Sequence, residues 1–68
     1  MSLRDALKRA EAYLLECGIS DAAVDAWILL EHVTGISRTV YLADGMRQME
    51  KADKERYFAL VEKRGSHI

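Results

Sequence analysis

The sequence contains no proline and only one cysteine among its 68 residues. Because Cys17 has no second cysteine to pair with, no internal disulfide can stabilise the fold, which favours a reducing compartment such as the cytoplasm. The longest unbroken apolar run covers residues 26–30, far fewer than a membrane-spanning helix needs. The first 13 residues carry charges throughout and lack the apolar core of a signal peptide. We therefore expect a cytoplasmic chain with no membrane partner.

The sequence also lacks an excess of positive charge. Ten Lys and Arg residues are set against eleven Asp and Glu residues, which gives a formal net charge of −1. Proteins that bind nucleic acid usually carry a basic excess, because their cations displace counterions from phosphates. Half of the residues are apolar and 31% are charged, a balance typical of one small globular domain. The composition therefore predicts no nucleic-acid partner.

The few glycines divide the chain into helical segments. Gly18, Gly35 and Gly45 each follow a helical pattern, and glycine can end a helix there in the left-handed conformation. Capping side chains precede the segments: Ser2 with Asp5 for the first, Ser20 or Asp21 for the second, and Ser37 for the third. We predict helices from Ser2 to Gly18 and over residues 22–34, 38–44 and 51–64. No segment alternates with period two, so the predicted fold is all-α, a small irregular or orthogonal bundle of four or five helices over residues 1–64.

Apolar side chains recur at helical spacing and define the expected core. The predicted inward residues are Leu3, Leu7, Ala10, Leu14 and Cys17; Ala22, Ala26, Leu29, Leu30 and Val33; Val40 and Tyr41, with Leu42 as a further candidate; Met46 and Met49; and Tyr57, Leu60 and Val61. This position makes Cys17 a buried structural thiol rather than a nucleophile. His32 lies at the flank of the second helix, where we expect a surface or half-buried structural histidine.

A second apolar group lies on the opposite side of the second helix. It consists of Val24, Trp27 and Ile28. A helix with two apolar faces is either central in its bundle or offers one face to a partner. We favour the central packing, with a docking face on Trp27 as the alternative.

The sequence offers no catalytic constellation. Cys17, His32 and His67 are its soft and imidazole side chains, and they do not have metal-ligand spacing. No glycine-rich loop follows a strand, so no phosphate-binding loop is predicted. Taken alone, the chain is predicted to have no catalytic, cofactor-binding or metal-binding residues, and it is not an enzyme.

The segment GISRTVY, from Gly35 to Tyr41, permits one alternative function. It resembles the turn and the start of the recognition helix in helix-turn-helix DNA-binding regulators. That helix would offer a single cation, Arg38, and Glu31 occupies the position where such motifs need a small residue. The small regulator therefore remains the second hypothesis.

A different resemblance covers nearly the whole chain. The motifs that carry it are Leu3-Arg4-Asp5-Ala6-Leu7, Gly18-Ile19, Asp25-Ala26 with Leu29-Leu30, His32-Val33 and Gly35, then Ser37-Arg38-Thr39, and finally Leu60-Val61-Glu62-Lys63-Arg64. In this order and spacing they resemble the N-terminal domain of HemK-type enzymes, the glutamine methyltransferases of peptide-chain release factors. Residues 65–68 resemble the start of the family's linker to its catalytic domain.

The resemblance implies a substrate-recognition domain that is not catalytic alone. Its implied partners are a peptide-chain release factor and the protein's own C-terminal methyltransferase domain, which would bind S-adenosylmethionine. It marks Asp25 and Gly35 as structural motif positions. Arg38 is either structural, bonded to Asp25 or to a helix end, which we favour, or a contact for the release factor. The family usually has a charged residue where this chain has Trp27, so Trp27 is either a second candidate for partner binding or a packing change specific to this lineage.

Overall fold

A computed structural model describes residues 1–66 of the chain. Four helices follow one another: α1 (Leu3–Glu16), α2 (Ala22–Thr34), α3 (Arg38–Asp44) and α4 (Lys51–Gly65). The described residues contain no strand, only an isolated bridge between Ser2 and Gln48. The predicted all-α class is confirmed, with four helices. Helix α4 is one residue longer than predicted, and the linker start remains a prediction because residues 67–68 lie outside the described part.

Two serines begin helices as the sequence predicts. The Ser2 hydroxyl accepts a hydrogen bond from the Asp5 backbone N–H at 3.1 Å, and the Ser37 hydroxyl accepts one from the Val40 N–H at 3.2 Å. These bonds satisfy N–H groups that have no partner within a helix. Helix α2 begins after Asp21, whose side chain makes no capping hydrogen bond.

Glycine ends α1 and α2 in the left-handed conformation, with φ of 85° at Gly18 and 69° at Gly35. After α1, the N–H of Ile19 donates to the Leu14 carbonyl at 3.0 Å, and buried Ile19 provides the apolar contact typical of this ending. The same prediction is wrong for Gly45, whose φ is −65°. The chain there continues in right-handed geometry, so α3 does not end by this mechanism.

The core lies between α1, α2 and α4. It consists of Leu3, Ala6, Ala10, Leu14, Ile19, Ala22, Ala26, Leu30, Val33, Ile36, Tyr57 and Val61. Small alanines on α1 and α2 allow the helices to approach closely, and fully buried Tyr57 occupies the space between α4 and α2. The Tyr57 hydroxyl donates a hydrogen bond to the Ala26 carbonyl oxygen at 2.8 Å, so its polar atom is satisfied inside the core.

Helix α3 lies at the edge of this core. None of its residues is buried, and Val40 and Leu42 are 40% and 72% exposed, so the predicted burial is wrong for both. Met46 is 65% exposed, also against prediction, whereas Met49 packs against the core as predicted. A helix of two turns at the periphery has a neighbour on one side only, which leaves its other apolar residues uncovered.

The connector between α3 and α4 is bound to the start of α1. The N–H groups of Leu3 and Arg4 donate to the carbonyl oxygens of Arg47 and Gly45, both at 2.9 Å, and the Met49 N–H donates to the Met1 carbonyl at 2.9 Å. The first two bonds satisfy donors at the N-terminus of α1. They hold α3 and the connector to the bundle although α3 buries no residue.

Candidate functional site

Three side chains from α2 and α3 form a stacked group on the surface, here called the Arg38 cluster: Trp27, Arg38 and Tyr41. The two rings have centroids 5.4 Å apart at 58°. The Arg38 guanidinium carbon lies 4.8 Å from the Trp27 ring centroid and 5.5 Å from that of Tyr41. Trp27 and Tyr41 are half-buried and Arg38 is exposed. Cation–π attraction thus positions a charged side chain that solvent and other molecules can reach.

Exposed apolar residues lie beside the Arg38 cluster on both helices. Val24, one turn before Trp27 on α2, is 56% exposed, and Ile28 is 53% exposed. Leu42, one turn after Arg38 on α3, is 72% exposed. The prediction that neighbouring helices cover both faces of α2 is therefore wrong for Val24 and Ile28, since α3 reaches only as far as Trp27.

A shallow groove adjoins the Arg38 cluster at Tyr41. Its volume is about 310 Å³, and it runs between α3, the connector and the start of α1. Its lining includes Tyr41, Leu42, Met46 and the exposed Arg4. The groove could accept one apolar side chain of a protein partner, with a cation at its edge.

Asp25 has a different partner from the one predicted. Its Oδ2 accepts a hydrogen bond from Nε of Arg64 at 3.1 Å and lies 3.0 Å from Nη2 in an ion pair, which links α2 to the last turn of α4. The expected bond between Asp25 and Arg38 is therefore wrong. The guanidinium of Arg38 instead lies over the rings of Trp27 and Tyr41. The sequence feature that could have singled out Arg64 as a partner of another helix is its position in the motif that ends α4.

Gly65, at the end of α4, packs against Tyr13 and Cys17 of α1. A β-carbon built on Gly65 would lie 2.6 Å from Cε1 of Tyr13 and 2.9 Å from Sγ of Cys17. A hydrogen bond with Cys17 is the main reason why the pKa of the Tyr13 phenol is raised. Cys17 is half-buried, less than predicted, and its engagement with Tyr13 gives it a structural place.

Among residues 1–66, no group of three His, Cys, Asp or Glu side chains could hold a metal ion. His32 is exposed, which agrees with the predicted surface position. No helix within the described part of the chain is long and apolar enough to cross a membrane. The one cation of α3, Arg38, is stacked on rings of its own domain.

Comparison with known proteins decides between the two predicted families. Residues 5–68 match the family described as the PrmC N-terminal domain. The chain belongs to this family. The resemblance predicted from the sequence motifs is thereby confirmed.

A curated relative gives the family its biochemical context. The release factor glutamine methyltransferase of Deinococcus radiodurans is 37% identical over all 68 residues of this chain. The chain spans only 24% of the length of that enzyme. No solved structure matches the chain. The Arg38 cluster and the Asp25–Arg64 ion pair are thus features of a PrmC N-terminal domain.

Proposed function

We propose that this chain is the substrate-recognition domain of a peptide-chain release factor glutamine methyltransferase and that it works in the cytoplasm. The observation that carries the proposal is the family match over residues 5–68, supported by full-chain similarity to the Deinococcus radiodurans enzyme. In this proposal the methyltransferase domain follows α4 and binds S-adenosylmethionine. The chain itself supplies no catalytic residue.

The proposed role is to position the release factor. Contacts made far from the reacting atoms can hold a glutamine side chain near the methyl donor, and such remote binding energy lowers the barrier of the productive complex. Trp27 and Arg38 are the proposed partner contacts because they lie at an exposed, partly apolar surface of α2 and α3. Asp25 and Gly35 have structural roles in this scheme: an ion pair to α4 and the left-handed end of α2.

A domain exchange tests this role. The first quarter of the Deinococcus radiodurans enzyme would be replaced by this chain in one variant and deleted in another. We expect the chimera to methylate its release factor, whereas deletion lowers kcat/KM on the whole release factor by about 100-fold or more, through lost positioning. Both variants should act equally on a short glutamine-containing peptide. Equal losses on the peptide and the release factor would assign the domain to folding of the enzyme and contradict the proposed role.

Two binding measurements on the isolated chain complete the test. Titration with release factor should give weak binding, because most of the contact surface would belong to the missing domain. Calorimetry with S-adenosylmethionine should give no heat of binding, and a measurable affinity would contradict the assignment of the cofactor to another domain. A salt-dependent shift of duplex DNA would instead support the helix-turn-helix hypothesis.

A further inference from the structure

The guanidinium of Arg38 is fixed in place but has no hydrogen-bond acceptor within residues 1–66. Two other arginines provide the contrast, because Arg47 is paired with Asp44 and Arg64 with Asp25. The Arg38 guanidinium instead lies over the rings of Trp27 and Tyr41. Cation–π attraction to the rings uses no N–H···O hydrogen bond, so the N–H donors of Arg38 stay available to an acceptor on a partner.

Such a group is suited to a carboxylate. The planar guanidinium presents paired N–H donors that match the two oxygens of an Asp or Glu side chain, and charge-assisted bonds of this kind are stronger than neutral ones. The Trp27 and Tyr41 rings already restrict the Arg38 side chain. Less conformational entropy is therefore lost when a partner binds it.

The surroundings favour a protein over a nucleic acid. Exposed Val24 and Leu42 flank the Arg38 cluster, and the groove at Tyr41 is lined by Leu42 and Met46. A phosphate backbone would need several cations along its path. α3 supplies only Arg38, in a chain of net charge −1. An acidic side chain with apolar neighbours fits this surface better.

The position on α2 favours the release factor over the protein's own methyltransferase domain. Asp25 and Trp27 are two residues apart, so they point roughly 160° away from each other around the helix axis. Asp25 is bound to the last turn of α4, beyond which the proposed function places the methyltransferase domain. The Arg38 cluster lies on the opposite side of α2 and is left open to another molecule.

We propose that the Arg38 cluster binds a carboxylate side chain of the release factor, with apolar neighbours of that residue packing on Val24, Leu42 and the groove. This inference rests on the proposed function and names the chemistry of its recognition surface. The guanidinium forms the charged contact, and the rings hold it in the geometry that binding needs.

The test titrates the isotope-labelled chain with purified release factor and compares Arg38→Gln with Arg56→Gln. Arg56 is exposed on α4, so its substitution removes the same charge from another surface. Loss of a charge-assisted contact should weaken binding by about tenfold or more for Arg38→Gln, and by less than about twofold for Arg56→Gln. The Nε–H resonance of Arg38 should shift when the release factor is added.

Each result has a defined meaning. If the wild-type chain binds and Arg38→Gln binds equally well, the carboxylate contact is wrong while the proposed function stands. If the wild-type chain shows no binding at millimolar concentration, both are overturned. The Arg38 resonance could instead shift when the methyltransferase domain is attached covalently, or when RNA is added, and not when the release factor is added. Either result would overturn the carboxylate contact with the release factor in favour of that other partner. Should Arg38→Gln fail to fold, Arg38→Lys keeps the charge but loses the paired N–H donors, and we expect it to bind the release factor more weakly than wild type. A Lys variant that binds as tightly as wild type would contradict the paired contact with a carboxylate.

A charge exchange identifies the partner residue. Asp and Glu residues of the release factor are changed to Lys one at a time and tested against Arg38→Glu. Restored binding for one such pair, with no restoration by the others, is the expected result. Failure of every substitution to restore binding would count against a carboxylate partner.

Discussion

The hydroxyl of Tyr57 on α4 donates a hydrogen bond to the Ala26 carbonyl oxygen on α2 at 2.8 Å, and both residues are fully buried. The bond joins α4 to α2 inside the core. Burial, with a smaller effect from Tyr41, raises the pKa of the Tyr57 phenol above its ordinary value. Tyr57 is therefore neutral in the folded protein at any pH where the protein is normally handled.

Replacing Tyr57 with Phe should lower the free energy of unfolding by about 1 kcal/mol at pH 7, because one buried hydrogen bond is lost. The phenol ionises near pH 10 in the unfolded chain and at higher pH in the folded one, so its contribution is complete below pH 10 and is lost as pH rises further. Above pH 10 the advantage of wild type should shrink by up to about 1.4 kcal/mol per pH unit. Denaturant unfolding from pH 7 to 11 measures this. If the free energies of unfolding of wild type and Tyr57→Phe changed in the same way with pH, the raised pKa of a buried Tyr57 phenol would be contradicted.

The ion pair between Asp25 and Arg64 should contribute little to stability. The two side chains are 21% and 46% exposed, and water screens such pairs. We expect Asp25→Asn and Arg64→Gln each to cost less than about 1 kcal/mol, with a coupling energy of about 0.5 kcal/mol in a double-mutant cycle. A second cycle between Asp25 and Arg38 is the control and should show no coupling. Coupling between Asp25 and Arg38, with none between Asp25 and Arg64, would contradict the ion pair observed in the structure.

The helix boundaries could be predicted from the sequence because they depend on local chemistry. Ser2 and Ser37 accept bonds from backbone groups three residues away, and Gly18 and Gly35 need only a left-handed conformation at one position. These interactions are complete within a few residues of chain. They do not depend on how the helices pack.

The composition of the candidate site could be predicted only in part. Trp27 and Arg38 were candidates, but their contact with each other and with Tyr41 depends on how α3 lies against α2. The partner of Asp25 likewise depends on the packing of α4, 39 residues along the chain. Residues on one amphipathic face are predictable from periodicity, whereas the neighbour across an interface is set by tertiary packing.

Gly35 provides a test of backbone conformation without a packing effect. Its φ is 69°, and a β-carbon there would meet no atom within 4 Å. Gly35→Ala should therefore cost about 1–2 kcal/mol from left-handed strain alone. Gly35→Asn should cost less, since asparagine adopts this conformation more readily. Thermal unfolding of both variants measures the difference. Equal losses would indicate that space, and not φ, requires glycine.

Gly65 should require glycine for the opposite reason, because it has no positive φ and its α-carbon lies close to Tyr13 and Cys17. In a free helical position, alanine would stabilise α4 by up to about 1 kcal/mol relative to glycine. We expect Gly65→Ala to destabilise the domain by about 1–2 kcal/mol instead, because the Tyr13 ring and the Cys17 side chain must move. Denaturant unfolding measures the change.

The matched control repeats Gly65→Ala in a Tyr13→Ala background. Removing the ring takes away the shortest contact, 2.6 Å, so the cost of the added methyl group should fall by more than half. An unchanged cost in that background would place the clash elsewhere. A gain in stability from Gly65→Ala in the wild-type background would show that α4 does not approach α1 as closely as its last turn indicates.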